Sequence, residues 1–183
     1  METCRLGSAA GEQVRMGIVV HHGVRPTVDP SAFVAEGAWL IGDVELGPDA
    51  SVWYNAVLRG DINGIRVGAR TNIQDGAVLH VTSECAVWIG DDVTVGHQAM
   101  VHGCRIEKGA LIGMSSVVLD NAHIGESALV AAGSVVRENF EVPEGMLVAG
   151  VPARTIRPLT DAERRGLLES AAHYVGYART YNR

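Results

Sequence analysis

Aromatic residues are scarce in this 183-residue chain, 5% of it, although hydrophobic residues make up 47%. A core of large rings is thereby excluded, and the interior has to be aliphatic and narrow. No apolar run approaches the roughly 18 residues of a membrane span. Ile18-Val19-Val20, the longest apolar run near the start, is also too short for the core of a secretory signal. Basic runs are missing, and 15 basic against 21 acidic residues leave a net charge of −6. A nucleic-acid-binding footprint is therefore absent. Three cysteines, Cys4, Cys85 and Cys104, are odd in number and lack C-x-x-C spacing. They fit free thiols in a reducing, cytoplasmic setting. No nucleophile elbow, phosphate-cradling glycine motif or H-E-x-x-H pair occurs.

What is plentiful is glycine, 22 residues in all. That is about 12% against about 7% in ordinary chains. Many Gly and Val with few rings point to a turn-rich β core, and a mean hydropathy of +0.13 excludes disorder. The length fits one compact domain with an appendage.

An internal repeat organises the chain. Aliphatic residues recur every six positions from Val28 through Val34, Leu40, Leu46, Val52 and Leu58. The phase resumes at Val67, Ile73 and Leu79, again at Ile89, Val95 and Val101, and runs on from Ile106 to Val148. Four residues after most of these stands a small one, such as Ala38, Ala56, Ala77 or Ala99. A period of six is neither helical nor the plain alternation of a hairpin. Short strands joined by tight corners satisfy it, with the aliphatic and small residues inward and their neighbours outward. Three hexads close one triangular coil in hexapeptide-repeat proteins. On that count the stretch from Val28 to Val136 makes 18 hexads and six coils. Two longer gaps read as loops at corners, the first holding the turn signal Asn63-Gly64, the second Thr82, Ser83, Glu84 and Cys85. Past Pro158 a capping box, Thr160-x-x-Glu163, opens a helical pattern of Leu167, Ala171, Tyr174, Val175 and Ala178. The expected organisation is a tail and lead-in over residues 1–24, a β-helix over 25–157 and a C-terminal helix over 158–183.

In this frame Arg59, His80 and His102 each follow the inward residue directly and stand three hexads apart. They form one outward column, with the two histidines on adjacent coils. His97 falls two places after Val95, on the preceding face, so a neighbouring protomer is the natural source of a third imidazole. Three His with one open position is the ligand set of a catalytic zinc site. Scattered surface histidines are the alternative. His21-His22 read as a solvated lead-in, Cys104 as a buried thiol, and Trp39, Trp53 and Trp88 as outward rings covered by the helix or by another chain.

Arg59-Gly60-Asp61, Asn72-Ile73-Gln74-Asp75-Gly76, Val78-Leu79-His80, Val95-Gly96-His97 and Val101-His102-Gly103 together resemble the gamma-class carbonic anhydrase family, over roughly residues 25–180. The resemblance implies a mainly β fold, a left-handed parallel β-helix with a C-terminal helix, assembled as a homotrimer. It implies a metal at His80, His97 and His102, with His97 from the adjacent subunit. Zinc is the expected ion, and iron or cobalt also suits three imidazoles. Arg59 and Asp61 match interface ion-pair residues, and Asp75 is placed to meet the facing chain's Arg59. Gln74 matches the amide that orients the metal-bound water, and Tyr174 an aromatic near the substrate. The implied reaction is reversible hydration of carbon dioxide to bicarbonate. Two departures mark a short-loop branch: Ile62 stands where prototypes carry glutamate, and the acidic loop after the first histidine is short, with Glu84 near the place of a proton-relaying glutamate. The rival readings are a hexapeptide acyltransferase and a non-catalytic, metal-binding trimeric accessory subunit.

Overall fold

A computed structural model describes residues 17–181. The hexads become strands of mostly two or three residues joined at corners. The chain winds through about seven turns of a parallel β-helix and ends in one helix, Asp161–Tyr181. Every sixth aliphatic side chain meets its counterpart one level along. Leu40, Leu58, Leu79, Val101, Val118 and Val136 stack on the first face. Leu46, Val67, Ile89, Ile106, Ile124 and Val142 stack on the second. Val52, Ile73, Val95, Ile112, Val130 and Val148 stack on the third. All are buried, and each contributes about 1.5–3 kcal/mol on leaving water.

The corners explain the small residues. Three places after the aliphatic residue the backbone enters the left-handed region, as at Asp49, Asn55, Arg70, Asp92 and Gln98, with φ between 53° and 60°. The next residue turns back into the narrow interior, where Ala50, Ala56, Thr71 and Ala99 are buried. Gly42 shows the constraint most sharply. Its φ is 73° where the strand Trp39–Leu46 rounds a corner, and a Cβ there would collide with the carbonyl oxygen of Gly60.

Three expectations change. The helix has about seven turns rather than six, because Ile18 stacks on Leu40 at one end and Val142 and Val148 continue the stacks at the other. Strand Gly17–Val19 thus belongs to the first face rather than to a lead-in, while residues 1–16 of the expected tail, Cys4 among them, lie outside the described residues. Asn63-Gly64 is not a hairpin turn: neither residue has positive φ, and Val57–Val67 is one strand. Its first half pairs with Val78–His80 and its second with Val87–Ile89, so the three extra residues carry extended backbone around the corner. The second insertion is a loop at the same corner. Thr82 Oγ1 accepts the amide of Cys85 at 2.9 Å, and Asn63 Nδ2 donates to Thr82 O at 3.1 Å, tying the two insertions together.

Past the last level, Met146–Gly150 pairs antiparallel with Ala153–Pro158 and the chain turns back along the third face. The capping box forms as expected: Thr160 Oγ1 accepts the amide of Glu163 at 3.2 Å, and Glu163 Oε2 accepts the amide of Thr160 at 2.8 Å. Leu167, Ala171 and Ala178 are buried on the helix's inner side. Trp53 lies beneath the helix with Phe33 and meets the helix's own Tyr174, whereas Trp39 and Trp88 are exposed on the single chain. Among the described residues no helix is long and apolar enough to cross a membrane.

Candidate metal centre

Strand register places the first-face column directly. Arg59 pairs with His80 and His80 with His102, each one level apart. The two imidazole centroids are 5.1 Å apart, and Nδ1 of His80 faces Nε2 of His102 at 3.0 Å. Carboxylates take the outer side of each ring. Asp61 Oδ1 is 3.1 Å from His80 Nε2, and Asp120 bonds His102 Nδ1. Arg59 in turn bonds Asp61 within the same chain. Burial pushes the Asp61 carboxyl up, but hydrogen bonds from Arg59 and His80 outweigh it and hold the group below the ordinary carboxylate range.

His97 stands at the corner between the third and first faces, one level along from Asp75. Its Nδ1 is 2.8 Å from Asp75 Oδ2. His80, His97 and His102 do not converge in one chain: among the described residues no group of three His, Cys, Asp or Glu side chains could hold a metal. The pair His80 and His102 does fit two ligands of a tetrahedral ion, which sets nitrogens about 3.3 Å apart at metal–nitrogen distances of about 2.0–2.1 Å. Carboxylates behind imidazoles are also the usual outer partners of ligand histidines.

Gln74 is only 5% exposed. Its Oε1 accepts the His97 amide at 3.1 Å, and its Nε2 donates to Asn72 Oδ1 at 3.0 Å. Asn72 continues the chain by donating to Thr94 Oγ1 at 2.9 Å. Tyr174, on the helix, packs against Trp53 at 5.3 Å between centroids and borders a pocket shared with Asp75. Burial, then the Asp75 charge, push its phenol up, so it stays neutral. Glu84 is not brought to the histidines. It is exposed in its loop and lines a cleft of about 280 Å³ with Trp88, Arg105 and His123 on the second face. Cys104 is buried, and burial pushes its thiol far up, which removes it as a nucleophile.

Asp120 and Asn72 carry roles that motif reading passed over. For Asp120 the signal was present: it stands two places after Val118, the inward residue one level beyond Val101, so the repeat already sets it beside His102.

The hexapeptide family model, described as bacterial transferase hexapeptide (six repeats), matches residues 103–138. A carbonic anhydrase of Geobacillus kaustophilus is 45% identical over 164 residues, covering 90% of this chain and 90% of that protein. The chain belongs to the gamma carbonic anhydrase family. Mitochondrial gamma carbonic anhydrase 2 of Arabidopsis thaliana is 44% identical over 162 residues, 85% of this chain; the chain spans 58% of that longer relative. Among solved structures, a Bacillus cereus protein named as an acetyltransferase aligns with a TM-score of 0.90 and 40% identity, covering 91% of this chain and 97% of its own.

Proposed function

We propose that the chain is the protomer of a trimeric, metal-dependent enzyme that reversibly hydrates carbon dioxide to bicarbonate. In this reading His80 and His102 of one protomer and His97 of the next hold the ion. The supporting observation is the His80–His102 pair, nitrogens 3.0 Å apart and each ring backed by a carboxylate, with His97 apart on another corner. Zinc, or iron or cobalt in its place, would lower the pKa of a water ligand to about 7. The chain's own residues do the rest. Asp61, Asp120 and Asp75 fix the orientation of the three rings. Gln74, pinned by Asn72 and by the His97 amide, keeps one amide hydrogen and one lone pair with which to orient the reacting water. Tyr174 supplies an apolar, neutral wall for the gas. Asp61 with Arg59, and Asp75 across the contact, serve the subunit interface. A buffer molecule takes the released proton, since Glu84 stands in a cleft on the second face away from the three histidines.

Purified protein should carry about one transition metal per chain, with three ligand histidines and one open position. His102→Ala should lower stopped-flow hydration by more than the roughly 10–100-fold that loss of an outer partner costs. Equal rates in the two proteins would leave only a structural role for the metal. The acyltransferase reading is supported by the repeat, by the family model's description and by the Bacillus cereus neighbour's name. It requires coenzyme A binding without metal, and a metal-free protein that binds coenzyme A would replace the hydratase reading.

A further inference from the structure

All four tyrosines of a chain with so few rings meet in one place, together with Trp53. Tyr54 comes from the third-face corner, and Tyr174, Tyr177 and Tyr181 come from one side of the helix at i, i+3 and i+7. They line a pocket of about 360 Å³, at the small end of ligand-binding cavities, roughly 300–1,000 Å³.

Helix docking accounts for part of this cluster only. Trp53 is 6% exposed and Tyr174 is half-buried, so both pack the helix onto the third face. Tyr177 and Tyr181 are 53% and 55% exposed although each packs against neighbouring rings, so part of each ring stays open to solvent. The rings do not lie flat on one another. Trp53 stands at 84° to Tyr174 and 89° to Tyr181, and Tyr174 stands at 77° to Tyr177, with centroids 5.3, 5.4 and 5.6 Å apart. These are edge-to-face packing contacts, and the ring faces that no neighbour's edge covers present the negative end of a quadrupole to the pocket. Among the described lining residues the one charged side chain is Asp75, and none is basic; the other polar groups are Thr180, the tyrosine hydroxyls and the Trp53 indole N–H.

We propose that this pocket binds a small free organic ammonium ion of the quaternary or methylated-amine class. Ring faces attract the diffuse positive charge, and Asp75, which also meets His97 Nδ1 at 2.8 Å, supplies an opposing charge on a lining that holds no basic residue. The site is formed by one chain and does not depend on the hydration reading. It does adjoin that reading's residues, since Asp75 also holds His97.

Calorimetric titration of the full chain with choline, against its neutral carbon isostere 3,3-dimethylbutan-1-ol, tests the inference. Saturable choline binding is expected, with the isostere about tenfold weaker or more. Tyr177→Leu should weaken choline binding about threefold to tenfold, while Tyr177→Phe, which keeps the ring face, should retain it. Asp75→Asn should also weaken it. Tyr177 is exposed, so both of its variants are expected to fold, and their melting curves check this. Equal affinity for the isostere would reduce the pocket to an apolar dent and overturn the proposal. Absence of saturable choline binding, or indifference to Tyr177→Leu, would overturn it equally.

Discussion

An imidazole on a strand rotates about two side-chain torsions, and a ligand ring that rotates freely binds an ion poorly. Outer partners remove that freedom, and here each candidate ligand has one: Asp61 behind His80, Asp120 behind His102, Asp75 behind His97. Asp120 tests the idea most cleanly, because it bonds one histidine and is only half-buried. Asp120→Asn should weaken metal binding about 10–100-fold by chelator competition, with little change in melting temperature. Unchanged affinity would mean that Asp120 merely shares the corner. The histidine column was readable at this scale because strand register is arithmetic: three hexads on, the same position recurs one level away. Gln74 was harder to place. Sequence marks it as a polar residue on an outward site, but only packing shows its amide held by Asn72 and the His97 backbone, which fixes what it can still offer a water.

At the scale of the element, the C-terminal helix depends on its first turn. Glu163 accepts from Thr160 and receives both Arg157 guanidinium nitrogens at 2.9 and 2.7 Å. Arg157 foremost, then Thr160, hold the Glu163 carboxyl at about 2, below its ordinary value of 4.5. A depressed carboxylate pKa stabilises the folded state above the unfolded value, and that contribution is lost as pH falls through the folded value. The stability gap between the native chain and Glu163→Gln should therefore be full at pH 7 and close between about pH 4.5 and about pH 2. Chemical denaturation at several pH values measures it, and a gap constant with pH would refute the assignment. Thr160→Ala should cost about 1 kcal/mol through the lost cap. The capping box was legible because it is local. Asn63-Gly64 misled because its pattern is local too, while the neighbouring strands on either side hold it extended. The corners were legible only through their small residues. Arg70, Gln98, Ser115 and Ser127 adopt positive φ that their side chains do not announce, imposed by the stacked levels around them.

At the scale of the molecule, a β-helix is a stack whose levels touch only their neighbours, so the faces that the C-terminal helix does not cover stay open for another copy. The first face carries Trp39, Val57, Val78 and Met100 on one outward line beside the His80–His102 column, an apolar strip suited to burial. His97 lies at the edge where this face meets the third, too far round the prism to complete a ligand set with the other two in one chain. In the proposed trimer, each contact would present one protomer's His97 edge to the next protomer's first face. His97→Ala and His102→Ala should each abolish hydration when alone. Unfolded together and refolded at equal amounts, they should regain activity, because some contacts then join an intact His97 to an intact His80–His102 pair. Random mixing places the His102→Ala chain on the His97 side and the His97→Ala chain on the other side in about a quarter of contacts, so about a quarter of native activity per site is expected. A site built within one chain would recover nothing, because every protomer in the mixture lacks one of its ligands.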